Sequence, residues 1–139
     1  MRTVLVTGGA GFIGSHLCEA LLRQGNRVIN IDSFNDFYSP QIKRSNVQVH
    51  PDNYIVEEGD IRDYNFLSRV FNEYVTDTVV HLAAYAGVRP SIQNPALYAD
   101  VNVTGTVNIL EQCRSIGIKS FMFASSSSVY GNNKKVPFS

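Results

Sequence analysis

The feature that most constrains the fold is a glycine-rich segment near the N-terminus, TGGAGFIGSH at residues 7–16. It follows a short β-branched apolar run at residues 3–7 and precedes a segment whose apolar residues recur at helical spacing. Glycines at such a junction permit a tight turn and leave the backbone open to an anion at the positive end of a helix. The pattern therefore predicts a strand, a tight turn and a helix that can hold a phosphate group.

The rest of the chain alternates between apolar runs and amphipathic segments. Strands are predicted at 3–7, 27–32, within 53–61, at 77–84 and at 119–125, and helices at 12–25, 64–74 and 96–117. Strands that are nearly all apolar indicate a parallel sheet covered by helices on both faces. The predicted fold class is therefore α/β with a doubly wound parallel sheet, and residues 33–52 form a loop with room for one short helix.

Two glycines are predicted to end helices, Gly25 after the first and Gly117 after the last. The apolar residues of the first helix fall at helical spacing and predict its buried face: Ile13, Leu17, Ala20 and Leu21.

Composition and charge limit the classes of function. The 139 residues are 44% hydrophobic and 17% charged, with a formal net charge of zero, which is typical of one globular domain. Zero net charge without a basic block argues against nucleic acid or an anionic membrane as a partner. The N-terminal apolar run is too short for a signal peptide, and no segment approaches the length of a membrane span.

The two cysteines, Cys18 and Cys113, both fall in predicted helices. They lack the spacing of a metal-binding set, so the sequence predicts no metal site. We expect both to be buried thiols of a cytoplasmic protein, because the cytoplasm keeps thiols reduced.

Asp32 ends the second predicted strand. In a dinucleotide-binding βαβ unit, a carboxylate at this position accepts the hydroxyls of an adenosine ribose and repels a 2′-phosphate. Together with the glycine loop, Asp32 therefore predicts NAD rather than NADP as the cofactor. An ordinary turn or capping aspartate is the alternative interpretation of this residue.

Two further polar residues near strand ends have competing interpretations. Asp60 would meet an adenine ring or would cap the next helix, although Asp63 is better placed as the cap. His81 lies among apolar residues, which favours a packed histidine over a catalytic base. The small residues Ala83 and Ala84 leave room for a ligand where the strand order reverses.

Several motifs in this order and spacing resemble the extended short-chain dehydrogenase/reductase family, which includes the nucleotide-sugar epimerases and dehydratases. They are VTGGAGFIGSHL, GDIRD, VVHLAA, NVTGT and SSSSVYG. Two longer stretches most resemble the UDP-glucuronate 4-epimerase branch, DSFNDFYSPQIKR and AAYAGVRPSIQNPALYADVNVTGT. The resemblance implies a Rossmann-like sheet of strand order 3-2-1-4-5, with residues 1–139 as the NAD-binding domain and the C-terminal part of the fold missing.

The resemblance also implies a set of NAD-binding residues, drawn from the glycine loop, the ends of strands two to four and the last helix. The pyrophosphate would contact Gly8, Gly11, Phe12, Ile13 and Gly14. The ribose would contact Asp32 and Asn35, and the adenine Asp60 and Ile61. The rest of the dinucleotide would be lined by Leu82, Ala83, Ala84, Val101 and Asn102.

In this family NAD takes a hydride from the sugar C4, a 4-keto sugar turns over in the pocket, and the hydride returns to the other face. The resemblance makes Ser126 the catalytic serine, which hydrogen-bonds O4 and helps to relay its proton. Related dehydratases and decarboxylases carry Asp or Glu where this chain has Ser127 and Ser128, so epimerisation fits better. Hydroxyls at those two positions would hold a substrate carboxylate. Arg89 is a further candidate to bind an anionic group of the substrate. The alternative is that it is a solvated surface arginine.

The family's catalytic tyrosine and lysine share one face of a helix as Tyr-x-x-x-Lys. Tyr130 and Lys134 have this spacing, but the residues between them, Gly-Asn-Asn, are typical of a turn. Tyr130 also belongs to the VYG motif, which in the family is distinct from the catalytic tyrosine. We therefore expect the catalytic pair beyond Ser139, in a longer enzyme that acts on a UDP-sugar and forms a homodimer.

The sequence leaves alternatives open. Among enzymes, the alternative to a UDP-glucuronate 4-epimerase is a UDP-glucose or UDP-N-acetylhexosamine 4-epimerase. A short natural protein that binds NAD in a regulatory or scaffolding role belongs to another class. A purely structural protein would leave the glycine loop and Asp32 unexplained.

Overall fold

The computed structural model describes residues 1–48 and 51–138. The strands are β1 (Thr3–Thr7), β2 (Arg27–Asp32), β3 (Tyr54–Glu58), β4 (Thr78–His81) and β5 (Ser120–Phe123). The α-helices are α1 (Phe12–Arg23), α2 (Pro40–Ser45), α3 (Tyr64–Glu73), α4 (Val88–Gln93), α5 (Pro95–Ala99) and α6 (Thr106–Ile116). A π-helical turn, Asp100–Gly105, joins α5 to α6, and a 3₁₀ turn, Ser127–Tyr130, follows β5.

The strands form one sheet in the order β3-β2-β1-β4-β5, and every neighbouring pair is parallel. This confirms the predicted Rossmann-like α/β fold and its strand order. The order reverses between β1 and β4, which is where ligands bind in open parallel sheets. No helix in the described part of the chain is long and apolar enough to cross a membrane.

Side chains alternate across the sheet, so β1, β2, β3 and β4 each contribute to two hydrophobic clusters. Leu5 of β1 belongs to the cluster that includes residues of α3 and α6, whereas Val4 and Val6 belong to the cluster that includes α1. Cys18 and Cys113 lie in opposite clusters, and burial raises the pKa of each thiol to about 11. The prediction that both thiols are buried is therefore confirmed.

The first helix buries a different face near its start from the one predicted. Ile13 is 71% exposed, whereas Gly14 is buried. A Cβ on Gly14 would overlap the carbonyl oxygen of Gly8, so this glycine must face the loop after β1. The preceding residue then points away, because successive helical residues are about 100° apart.

The predicted helix at 96–117 is interrupted by the π-helical turn. A Cβ on Gly105 would lie 2.6 Å from Cδ1 of Ile61, so this turn packs directly on the loop that follows β3. Helix α6 ends as predicted at Gly117, which has φ +78°. The other predicted helix stop, Gly25 after α1, has φ +77°. Helix α4 was not predicted, because two prolines in VRPSIQNP interrupt the helical pattern.

The fourth and fifth strands are shorter than predicted. The amide of Leu82 donates to the carbonyl and the hydroxyl oxygens of Thr7, and the amide of Ala83 donates to the same hydroxyl. The backbone after His81 therefore turns against β1 instead of continuing the sheet. This turn opens the carboxyl end of the sheet beside β4.

We expect Gly14→Ala to lower the free energy of unfolding by about 3 kcal/mol, because the new methyl group meets backbone atoms that cannot move aside. Gly105→Ala is the matched variant, since its methyl group meets side-chain atoms of Ile61, which can change rotamer, rather than backbone atoms. Its cost should be about 1 kcal/mol or less, because alanine also favours the helix. Urea unfolding followed by circular dichroism measures both. Equal losses would contradict this account of Gly14.

Candidate functional site

A cleft lies at the carboxyl ends of β1, β2, β3 and β4, and we call it the first cleft. Ten of the predicted cofactor-binding residues line it: Gly8, Gly11, Asp32, Asn35, Asp60, Ile61, Leu82, Ala83, Ala84 and Val101. Sequence reasoning missed several other lining residues: Ser33, Phe37, Tyr38, Lys43, Gly59 and Tyr85. The sheet therefore brings together residues that are far apart in the chain.

The glycine loop forms one wall of the first cleft. Gly8 has φ +74°, and a Cβ there would lie 2.9 Å from the amide nitrogen of Ala83. Helix α1 begins at Phe12, and its N-cap residue, Gly11, provides no side-chain cap. Within the described residues, the amides of Phe12 and Ile13 donate no hydrogen bond. This helix terminus therefore offers unpaired donors and a positive dipole end to an anion.

Asp32 is 7% exposed at the end of β2. Its Oδ2 accepts a hydrogen bond from the amide of Ala10 at 3.0 Å, and its Oδ1 accepts one from Phe34 at 2.9 Å. The carboxylate thus ties the glycine loop to the turn after β2. Each carboxylate oxygen has a second lone pair, so Asp32 retains the capacity to accept ligand hydroxyls.

Lys43 of α2 is the most informative lining residue that the sequence did not reveal. It is only 5% exposed, and its Nζ donates to the backbone oxygen and Oδ1 of Asn35 at 2.9 and 2.6 Å. The ammonium group also lies 4.8 Å from the ring centre of Tyr38. Burial lowers the pKa of Lys43, and the charges of Asp32 and Asp36 oppose that shift. The side-chain oxygen of Asn35 is therefore already engaged.

Asp60 forms an ion pair rather than a helix cap. Its Oδ2 lies 2.7 Å from Nη2 of Arg62, and its Oδ1 accepts from the Arg62 amide at 2.9 Å. Arg62 also reaches Asp100 at 3.3 Å. Hydrogen bonds from Arg62 lower the pKa of the Asp60 carboxyl. The cap of α3 is Asp63, whose Oδ1 accepts from Phe66 at 3.0 Å, which excludes the capping interpretation of Asp60.

A second cleft adjoins the first and shares the wall formed by residues 82–85. Asn102 of the π-helical turn lines this second cleft and clamps Tyr85. Its Oδ1 accepts from the Tyr85 amide at 2.8 Å and its Nδ2 donates to the Tyr85 carbonyl at 2.9 Å. Ser126 also lines the second cleft. The exposed Ser126 Oγ donates to Ser128 Oγ at 3.1 Å and accepts from the Ser128 amide.

Some predicted site residues lie outside both clefts. These are Phe12, Ile13, Gly14, Arg89, Ser127 and Ser128. Arg89 is exposed on α4, and Ser127 and Ser128 are exposed on the 3₁₀ turn. That turn ends at Tyr130, and Gly131 follows with φ +58°. No helix joins Tyr130 to Lys134 in the described structure, which confirms the predicted turn between them.

His81 is a packed histidine, as predicted. It is 1% exposed, with Nδ1 at 2.6 Å from Thr7 Oγ1 and Nε2 at 2.9 Å from Thr106 Oγ1. Burial lowers the pKa of the ring to about 4. The ring is therefore neutral at physiological pH.

The sequence matches the GDP-mannose 4,6 dehydratase family over residues 5–139. The chain belongs to this family. The match confirms the resemblance to nucleotide-sugar epimerases and dehydratases that the motifs indicated.

Three similar proteins illustrate the relationship. UDP-glucuronate 4-epimerase 4 of Arabidopsis thaliana is 48% identical over 139 residues, which are 99% of this chain and 32% of that protein. Protein CapI of Staphylococcus aureus is 47% identical over 98% of this chain and 41% of its own length. The UDP-glucose-4-epimerase of Stenotrophomonas maltophila, solved with bound NAD and formylated UDP-arabinopyranose, is 34% identical with a TM-score of 0.87, covering 99% of this chain and 40% of that one.

This chain therefore spans about a third of the plant relative and about two fifths of the other two proteins.

We expect stability to fall between about pH 7.5 and about pH 5.5 by roughly 1 kcal/mol because of His81. The unfolded ring binds a proton below its ordinary pKa of 6.5, whereas the folded ring does so only near 4. The neutral His81 ring therefore contributes fully to the free energy of unfolding above pH 6.5, and this contribution is lost as the pH falls toward 4. Urea unfolding at several pH values measures the slope, and His81→Gln should remove it. An unchanged slope in this variant would contradict the assignment.

Proposed function

We propose that the chain is the NAD-binding part of a longer nucleotide-sugar 4-epimerase whose substrate is UDP-glucuronate. The observation that carries the proposal is the continuity of the two clefts across residues 82–85, where the strand order reverses. The glycine loop and Asp32 line the first cleft, and Ser126 lines the second. The similar Stenotrophomonas maltophila structure contains NAD and a UDP-sugar, which supports the same proposal.

The residues of the first cleft fit an NAD molecule. The unpaired amides at the start of α1 suit a pyrophosphate, and a side chain at Gly8 would fill the space against Ala83. Asp32 suits the ribose hydroxyls, and its charge disfavours a 2′-phosphate. Asp60 and Ile61 line the same cleft, and we assign them to the adenine. NAD, when bound, supplies a reversible hydride acceptor.

Ser126 is the proposed catalytic residue of this chain. Ser126 is exposed and lines the second cleft, where its hydroxyl would hold the sugar O4 and its proton during oxidation. The companion tyrosine and lysine belong to the longer polypeptide, since Tyr130 and Lys134 share no helix in the described residues. Removal of hydride at C4 and its return to the opposite face invert that carbon.

Ser127 and Ser128 distinguish an epimerase from its dehydratase and decarboxylase relatives. Neither side chain carries a charge, so no carboxylate beside Ser126 is available to promote elimination. Both hydroxyls are exposed on the 3₁₀ turn, and we assign them to the substrate carboxylate. Arg89 is a second candidate for that group, although it is exposed on α4.

A UDP-glucose 4-epimerase is the second candidate, favoured by the fold similarity to such an enzyme. Product analysis of the longer polypeptide with UDP-glucuronate, UDP-glucose and UDP-N-acetylhexosamine separates these functions. Turnover of UDP-glucuronate alone supports the first proposal. The intact mass of the natural protein shows which polypeptide must be tested. If that polypeptide binds NAD but turns over none of the three sugar nucleotides, a binding module is supported.

A homodimer formed through the last long helix remains a prediction. Val103, Val107 and Leu110 are exposed apolar residues at helical spacing on the π-helical turn and α6. Sedimentation of the longer polypeptide measures its oligomeric state.

Asp32→Ala should weaken NAD binding by about tenfold to a hundredfold, because hydrogen bonds to a charged group are lost. The preference for NAD over NADP should fall as well, since the repelling charge is gone. Titration calorimetry of the 139-residue chain measures both affinities. Asp36→Ala is the control, because it removes the same charge from an exposed residue that does not line the cleft. Unchanged NAD affinity in Asp32→Ala would remove the ribose assignment.

Replacing both Ser127 and Ser128 by alanine in the longer polypeptide should raise the fraction of decarboxylated product. A 4-keto uronic acid is a β-keto acid that loses carbon dioxide easily once its carboxylate is free to rotate. Chromatography of the sugar nucleotides after complete turnover measures the ratio. Ser115→Ala on the distant helix α6 is the control. An unchanged ratio in the double variant would count against the carboxylate assignment.

A further inference from the structure

We propose that His81 is a positioning residue of the cofactor site, which joins β1 to α6 through its ring and thereby fixes the backbone of Leu82 and Ala83 between the two clefts. The inference rests on the proposed NAD-binding function. It goes further by assigning a task, a protonation state and a tautomer to a residue that is only 1% exposed.

The hydrogen bonds around the ring determine its tautomer. The hydroxyl of Thr106 donates its only proton to the carbonyl oxygen of Asn102 at 2.7 Å. Its oxygen can then only accept from His81, so Nε2 carries the ring proton at 2.9 Å. Nδ1 is consequently an acceptor, and it receives the proton of the Thr7 hydroxyl at 2.6 Å.

The same chain of bonds reaches the wall shared by the clefts. Because the Thr7 hydroxyl donates to His81, its lone pairs are free to accept the amides of Leu82 at 3.2 Å and Ala83 at 3.1 Å. The amide of Ala83 faces Gly8, where even a Cβ would approach within 2.9 Å. A reoriented Thr7 hydroxyl would therefore displace the wall against which the glycine loop packs.

His81 also connects the second cleft. Its carbonyl oxygen accepts from the amide of Ala124 at 3.2 Å, two residues before Ser126. Through Thr106 it is bonded to the carbonyl of Asn102, whose side chain clamps Tyr85. One neutral ring thus links the segments that carry the proposed cofactor wall and the proposed catalytic serine.

The surroundings of the ring keep it neutral. The groups that face it are Thr7 of β1, Thr106 of α6, and the rings of Phe121 and Phe123 of β5, with centroids at 6.2 and 5.9 Å. None of these groups carries a charge. A protonated ring would need Nδ1 to donate toward Thr7, whose hydroxyl already accepts two amides. Protonation would therefore break the chain of bonds.

The test uses variants of Thr106 rather than of the ring. Thr106→Val removes the acceptor for Nε2 and keeps the shape of the side chain, whereas Thr106→Ser keeps the hydroxyl. Thr104→Val is the matched control, because it makes the same change at an exposed threonine on the neighbouring turn. Circular dichroism verifies that each variant is folded.

Three readouts are measured on the 139-residue chain: NAD affinity, amide hydrogen exchange at Leu82 and Ala83, and the tautomer of His81 by nitrogen NMR. We expect Thr106→Val to bind NAD about tenfold more weakly, with faster exchange at both amides. Thr106→Ser should recover most of the affinity, and Thr104→Val should match the parent. The parent ring should carry its proton on Nε2 between about pH 5 and about pH 8, since burial lowers its pKa to about 4.

An Nδ1-protonated or charged ring at neutral pH would overturn the inference. Unchanged NAD affinity and amide exchange in Thr106→Val would also overturn it, and would make His81 a packing residue only. Failure of the parent chain to bind NAD would instead refute the proposed function. The tautomer and the exchange rates would still decide whether His81 fixes Leu82 and Ala83.

Discussion

At Gly14, the first turn of α1 lies so close to the loop after β1 that no side chain fits between them. This contact places the positive end of α1 at the carboxyl end of the central strand, and its first amides have no partner among the residues that the structure describes. The same loop packs against Ala83 at the end of β4, with Gly8 at the point of closest approach. The anion site and the opening of the sheet therefore depend on one close approach between backbones.

Buried polar groups maintain this arrangement on either side of β1. Asp32 bonds the amides of Ala10 and Phe34, and so fixes the glycine loop from β2. His81 bonds Thr7 and Thr106, and so fixes the end of β4 from the other side. Both are satisfied by hydrogen bonds, which offsets the cost of burying polar atoms and gives each group a defined orientation.

Much of the fold could be predicted because its signals are local. Apolar runs and helical spacing in successive segments lead to a parallel sheet, and glycines at 25 and 117 mark helix ends. The predictions failed where packing overrode local pattern. Ile13 has helical apolar spacing but is exposed, since Gly14 must face the loop. Lys43 and Arg62 went unrecognised because their partners, Asn35 and Asp60, are identified only by side-chain geometry.

The sequence by itself determined the order of the five strands, the glycine turn, the acid at the end of β2 and the serine run after β5, because each depends on residues adjacent in the chain. Only the tertiary structure decided that residues 82–85 join two clefts and that Asp60 pairs with Arg62. It also decided the tautomer of His81, through contacts with Thr7 and Thr106. Those features arise between segments that are distant in the chain, and a one-dimensional pattern carries no record of which side chains meet.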